Sequence, residues 1–337
     1  MQNKNKITSM LSLIIAGEAI FLLPFILMRV FKPVIREAFL ITDAQIGEAQ
    51  ALYGITAVIS YFFGGFIADK WEAKKLLTLS LGLTALGGIW MLFIPSITGL
   101  KFLYAFWGVS TILLFWAALI KATRQWGTKN NQGLSFGLLD GGRGFFAATT
   151  ALSGAAILSF FFPKSGIITL EDKITTLQYI IGAITVIVIF VAIFVWFSLP
   201  KNEVKSEDKK EFQFDFQKAL SLIIQPKVIF HSLIICCAYC AYKLTGTYGT
   251  YAKDVWNYSL EEATYFAVFI QYLRPVAAIS TGWIADKFIP SKLIIPCFTV
   301  LVIMSSILGF MDNVSFYLSV ATFVFMAFGT YGLRGLF

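Results

Sequence analysis

The sequence predicts an all-α membrane fold, two pseudo-symmetric helix bundles with the second incomplete. Three observations carry that expectation: an apolar composition, about ten long apolar runs, and one polar loop segment that occurs twice. Of 337 residues, 58% are hydrophobic and 14% are charged, with a mean hydropathy of +0.76. A soluble domain is nearer a quarter charged, and its core cannot hide this much apolar surface from water. The solvent is therefore lipid. Lipid leaves backbone groups no outside partner, so only helices and closed barrels cross it. The apolar runs here are long and unbroken, whereas barrel strands alternate over short segments.

A span needs about 20 apolar residues. The pattern predicts helices near 9–34, 46–68, 76–95, 99–121, 133–161, 176–199, 229–251, 262–285, 290–310 and 314–337. Residues 200–228 form the longest polar stretch, with Lys205-Ser-Glu-Asp-Lys-Lys-Glu211 at its centre. They read as a cytoplasmic linker between a six-helix bundle at 1–199 and a partial four-helix bundle at 229–337. The first run continues without a small-residue cleavage site, so it is expected to remain as helix 1.

The net charge of +8 follows from topology and does not call for nucleic acid. Sixteen of the 27 Lys and Arg fall in loops on the linker's side and six in the opposite loops. That bias sets the N-terminus in the cytoplasm of a multi-pass protein of the cell inner membrane. Cys236, Cys237 and Cys240 share one apolar run and Cys297 lies in another. They read as small residues packing membrane helices, not as a disulfide framework or a metal site. His231 opens the seventh run beside the linker and reads as interfacial. No phosphate loop, zinc spacing or nucleophile–base pair stands out, so neither an enzyme nor a cofactor is expected.

The repeat is specific. Gly65-Phe-Ile-Ala-Asp69-Lys70 and Gly282-Trp-Ile-Ala-Asp286-Lys287 share Gly-x-Ile-Ala-Asp-Lys, and each has a Lys five positions on, Lys75 and Lys292. Each copy follows the second helix of its half. Internal repeats at this scale mark secondary transporters. The first copy, with its basic pair Lys74 and Lys75, resembles the loop 2–3 signature of the major facilitator superfamily. The second resembles its degenerate partner in loop 8–9. The first departs in one place, where Trp71 or Glu72 stands for a glycine. The resemblance implies twelve helices in two six-helix bundles, so this chain is expected to lack helices 11 and 12. It also implies a conformational gating role for Gly65, Asp69, Lys70, Lys74, Lys75, Gly282, Asp286 and Lys287. The glycines would let helices approach closely. The aspartates would accept from backbone N–H groups at a neighbouring helix start, helix 11 for Asp69 and helix 5 for Asp286.

Ionisable residues at membrane depth are costly and mark function. Five basic residues remain outside the loops: Arg29, Arg143, Lys243, Arg274 and Arg334. Glu18 and Asp140 are the acidic ones. A surplus of positive charge points to an anionic substrate. Arg29 precedes Asp69 by 40 residues and Lys243 precedes Asp286 by 43, so each half offers one cation at a matching position on helix 1 or 7. This is similar to the organic phosphate:anion antiporters, which place an arginine in each of these helices, although Lys243 lacks arginine's bidentate fork. Arg29 can alternatively snorkel to the outer surface. Arg274 lies about 18 Å from the cytoplasmic end at 1.5 Å per residue, before Pro275, which should loosen the helix. Asp140 and Arg143 are i, i+3 neighbours and can pair on one face. Arg334 is expected to snorkel.

Tyr61 and Trp116 can bond or stack with an organic substrate, and Glu18 and Asp140 are candidates for coupling. The predicted function is secondary active transport of a small organic anion, of sugar phosphate, sulfonate or carboxylate type, by alternating access. The expected partners are that anion, the bilayer and a proton or counter-anion, with the chain a monomer. The alternatives are a neutral sugar, a drug or an inorganic anion such as nitrate, whose porters carry glycine-rich signatures weakly similar to Gly141, Gly142 and Gly144. A non-transporting remnant or sensor is the other class.

Overall fold

The computed structural model describes residues 2–128, 130–161, 169–200, 221–222, 224–245, 248–258, 260–311 and 315–336. Most of the expected linker at 200–228 lies outside them. In chain order the helices are α1 (Gln2–Ala19), α2 (Leu27–Val30), α3 (Lys32–Phe39), α4 (Asp43–Lys70), α5 (Ala73–Met91), α6 (Ile97–Val109), α7 (Ala117–Trp126), α8 (Gln132–Phe161), α9 (Leu170–Ser198), α10 (Pro226–Leu244), α11 (Tyr248–Asp254), α12 (Leu260–Ala285), α13 (Pro290–Phe310) and α14 (Phe316–Leu336). Among the described residues, seven segments are long and apolar enough to cross a membrane by length and composition: Lys6–Ile26, Asp43–Lys70, Ile97–Trp126, Leu170–Ser198, Pro226–Leu244, Ser291–Phe310 and Phe316–Arg334. The other three expected spans are α5, α8 and α12. They are long helices that carry charge: Lys74 and Lys75, Asp140 and Arg143, and Glu261, Glu262 and Arg274.

Helix boundaries depart from the apolar pattern where local chemistry decides. The second and sixth helices begin earlier than expected because each opens with a capping box. Thr42 Oγ1 accepts from Gln45 N and Thr169 Oγ1 from Asp172 N, and the Gln45 and Asp172 side chains accept in return from the Thr42 and Thr169 backbone N–H groups. Each box satisfies two backbone donors that would otherwise be orphaned. Helix 1 does not run unbroken from 9 to 34. It ends at Ala19 and continues as a π-helical stretch, Leu22–Ile26, before α2. Pro24 sits inside that stretch and removes a donor from the ladder. The fourth span contains a second π-helical stretch, Ser110–Trp116, between α6 and α7. The seventh span breaks after Leu244, with Gly246 and Thr247 outside the described residues. By contrast, α12 runs through Pro275 without a break in the helix.

The chain divides into two compact units, Met1–Trp126 with Thr149–Lys210 and Gly127–Ala148 with Glu211–Phe337. α8 begins in the second and ends in the first. In the first unit, Trp107, Tyr104 and Phe115 are fully buried, and a glycine makes room for the largest of them. A Cβ on Gly87 would strike the Trp107 indole, whose Nε1 donates to Thr84 O at 3.2 Å. In the second unit, Tyr248, Trp256, Phe323, Met326 and Tyr331 form the core. Large apolar side chains also cover the outside, such as Phe190 and Phe310, as a lipid-solvated surface requires.

One seam is closest. Along α8, Gly133, Gly137 and Gly141 recur every four residues and face α12. A Cβ on Gly133 would meet Gly282 O, one on Gly137 would lie 2.6 Å from Ala278 O, and one on Gly141 would lie 3.1 Å from Pro275 Cα. Here small residues let two backbones touch, the usual device where lipid removes the hydrophobic drive between helices. Gly137→Ala should therefore push α8 from α12 and cost about 1–3 kcal/mol. Gly47→Ala, whose Cβ meets nothing within 4 Å, should be neutral or slightly stabilising. Thermal unfolding of the two purified variants in one detergent checks the contrast.

Candidate functional site

Three arginines and one aspartate gather in the second unit. Asp140 on α8 accepts from Arg274 of α12 through both oxygens, Nε to Oδ2 at 3.2 Å and Nη2 to Oδ1 at 2.7 Å. This is the forked, charge-assisted geometry that only arginine offers. Arg334 of α14 donates Nη2 to the same Oδ1 at 3.0 Å. Arg143, one turn along α8, is buried and adds its charge beside Asp140. Gly144 makes the arrangement possible, because any Cβ there would collide with the Arg274 side chain. Helix α10 closes the cluster with aromatic faces. The Arg334 guanidinium lies 4.1 Å from the Tyr242 ring centroid and 5.5 Å from that of Tyr239, and Arg274 lies 5.8 Å from Tyr242. Such stacking suits a planar, weakly hydrated cation.

This arrangement corrects two expectations. Arg334 does not snorkel; it turns inward onto Asp140. Asp140 is bonded across helices to Arg274 and Arg334, beyond the i, i+3 relation to Arg143 on its own helix. Nothing in one sequence gives a pairing across 134 or 194 positions. A signal that the sequence reading passed over, the four-residue spacing of Gly133, Gly137 and Gly141, marks the seam that leads to it.

The second copy of the repeated segment is built into the same seam. Asp286 accepts from Gly133 N at 2.6 Å and Leu134 N at 2.8 Å. These are first-turn donors of α8, which have no partner within the helix. Gly282 is buried there against Gly133. Lys287 lies exposed, 3.5 Å from the Trp283 ring centroid. The first copy is arranged differently. Gly65 is exposed and a Cβ on it meets nothing within 4 Å, while its neighbour Gly64 makes the close approach, 3.2 Å from Leu113 O. Asp69 is exposed. Lys121 Nζ donates to Ala68 O at 2.5 Å, Lys70 lies over the Phe66 ring, Lys75 pairs with Glu72 at 2.8 Å, and Lys74 lies over Trp196.

In the first unit the remaining candidates cluster around the two π-helical stretches. Glu18 is buried near the end of α1, and its carbonyl accepts from Phe21 N at 3.0 Å. Tyr53 connects the stretches. Its ring meets Phe25 edge-on at 4.7 Å, and its hydroxyl shares a 2.7 Å hydrogen bond with Thr111. Trp116 closes the second stretch 6.4 Å from Phe21. Tyr61, two turns beyond Tyr53 on α4, is exposed. Single-turn π segments concentrate at functional sites, and only Pro24 advertises either of them in the sequence.

Two further candidates remain. Arg29 lies in α2, and its side chain is outside the described residues. Lys243, in the last turn of α10, is exposed and has no ion pair among the described residues. Cys236, Cys237 and Cys240 are exposed on α10, not packed inside it as expected.

Removing one partner of a buried ion cluster leaves the others uncompensated. Asp140→Asn should therefore lower stability by about 3–5 kcal/mol, and Asp140→Asn combined with Arg274→Gln should recover part of the loss. Unfolding midpoints of the three proteins in detergent read this coupling directly.

The Major Facilitator Superfamily matches residues 10–336 of the chain. The inner membrane protein YihN of Escherichia coli is 25% identical over 308 residues, covering 90% of this chain and 70% of YihN. The probable nitrate/nitrite antiporter NarK1 of Thermus thermophilus is 24% identical over 284 residues, covering 81% of this chain and 60% of NarK1. Among solved structures, the Escherichia coli fucose:proton symporter FucP superposes with a TM-score of 0.76 at 16% identity, over 97% of this chain and 82% of FucP. The helices, the doubled segment and these matches agree: the chain belongs to the Major Facilitator Superfamily of membrane transporters.

Proposed function

We propose that this chain is a secondary active transporter of a small organic anion, working by alternating access in the inner membrane with its N-terminus in the cytoplasm. The charge balance of the arginine cluster carries the reading. Among the described ion pairs and charge contacts of the cluster, one carboxylate, Asp140, stands against three buried or largely buried guanidiniums, so its charge is weighted to the positive. Charge held at membrane depth needs a counter-charge or water, and an anionic substrate supplies the first. Arg29 and Lys243 add a cation in each unit, and Tyr239 and Tyr242 offer aromatic faces for an organic body. Arg274 is already forked onto Asp140, so its role is to position the carboxylate and hold the field. Arg143 is the better candidate for direct contact. Tyr61 and Trp116 are candidate contacts in the first unit. Glu18, buried in α1, is the candidate proton carrier, since Asp140 is engaged by two arginines.

A second reading is an inorganic anion such as nitrate. The same positive excess and the similarity to NarK1 favour it. The glycines of α8 do not, because Gly141 and Gly144 are accounted for by their packing on Pro275 and Arg274. Uptake into proteoliposomes separates the readings. Saturable uptake of a sulfonate, carboxylate or sugar phosphate is expected, and it should fall by at least about tenfold in Arg29→Ala, Arg143→Ala and Lys243→Ala, about 1.4 kcal/mol each. Uptake of nitrate alone supports the second reading. Uptake of a neutral sugar that is indifferent to all three changes would refute both.

A further inference from the structure

A cavity of about 550 Å³ opens at one end of the first unit, where α1 begins, α4 passes into α5, and α7 and α9 end. Lys6, Lys74, Thr8 and Gln125 line it together with Phe194 and Phe197. The two ammonium groups are held by aromatic rings, Lys6 at 5.7 Å from the Trp126 centroid and Lys74 at 4.8 Å from that of Trp196. Backbone bonds fix the walls. Trp126 Nε1 donates to Lys6 O at 2.7 Å, and Ser9 Oγ donates to Ser198 O at 2.8 Å. Glu72, the carboxylate among the lining residues, is held by Lys75 at 2.8 Å. The cavity therefore keeps positive character. It lies at helix ends, where the membrane reading of the chain puts the lipid head groups. Phe197 beside it is 79% exposed, an apolar ring turned to the bilayer.

Basic pockets between membrane helices, walled by interfacial aromatics, fit the phosphate of an anionic lipid. We propose that this cavity binds an anionic phospholipid head group, its phosphodiester received by Lys6 and Lys74 and its acyl chains leaving over Phe194 and Phe197. The site is separate from the arginine cluster and does not depend on which substrate is carried. It gives Lys74 a role beyond the repeated motif.

The test compares unfolding midpoints in phosphatidylcholine nanodiscs with and without phosphatidylglycerol, together with binding of a labelled phosphatidylglycerol. The wild-type chain should be stabilised by phosphatidylglycerol. Lys6→Gln with Lys74→Gln should abolish that gain and weaken binding on the order of tenfold, while matching wild type in phosphatidylcholine alone. Lys32→Gln with Lys101→Gln removes the same charge from the exposed pairs with Asp43 and Glu48 and should keep the gain. Equal gains in all three proteins, or loss in the control pair as well, would overturn the site. Inorganic phosphate reproducing the whole gain in phosphatidylcholine would overturn the lipid assignment and leave a free-phosphate site.

Discussion

The second unit depends on the contact between α8 and α12. Three glycines at four-residue spacing bring the two backbones to van der Waals contact, and every polar feature of the seam follows from that distance. At one end Asp286 reaches the first-turn N–H groups of α8. Further along, Arg274 passes over Gly144 to fork onto Asp140. A helix pair held apart by even one methyl layer would offer Asp286 no donors and Arg274 no passage. Where lipid provides no hydrophobic drive, contact of this kind supplies both the dispersion energy and the geometry that polar groups need.

The first unit solves the same problem differently. It sets the buried Trp107 indole against Gly87, Thr185 against Gly88 and Thr56 against Gly108, and it joins two π-helical stretches through Tyr53. Its loop-end charges pair at the surface, Lys32 and Arg36 with Asp43, Lys101 with Glu48, and Lys173 with Glu37. Exposed pairs of this type contribute little each. Rigidity in this unit therefore comes from the buried aromatics, and irregular backbone is tolerated where Tyr104 donates to Pro24 O.

The membrane fold was legible because it rests on composition and period, which are local. Among the described residues the long helices follow from apolar runs, and the family is signalled by the shared segment Gly-x-Ile-Ala-Asp-Lys. Helix starts at Asp43 and Leu170 were legible in principle, since Thr-x-x-Gln and Thr-x-x-Asp announce capping boxes; apolar windows overlook them because the caps are polar. The break after Ala19 was announced by Pro24 alone, and Pro275 shows that the same signal can leave a helix unbroken. Asp286 found its helix because the motif implied one. The partners of Asp140 were beyond reach, since a pairing of Asp with Arg across two helices has no signature in either one. Arg334 looked like a snorkelling residue for the same reason, because its position near a helix end is local and its carboxylate is not.

The distance in sequence between Asp140 and its partners has a consequence for how the chain is made. Asp140 enters the membrane 134 residues before Arg274 and 194 before Arg334. At ribosomal speeds of about 5–20 residues per second, Arg274 is synthesised roughly 7–27 s later. Through that interval the carboxylate must remain protonated, sit near water, or rely on Arg143 one turn away on its own helix. Arg143 is the basic residue made together with Asp140 on α8, before α12 arrives and closes on the glycine-lined face of that helix.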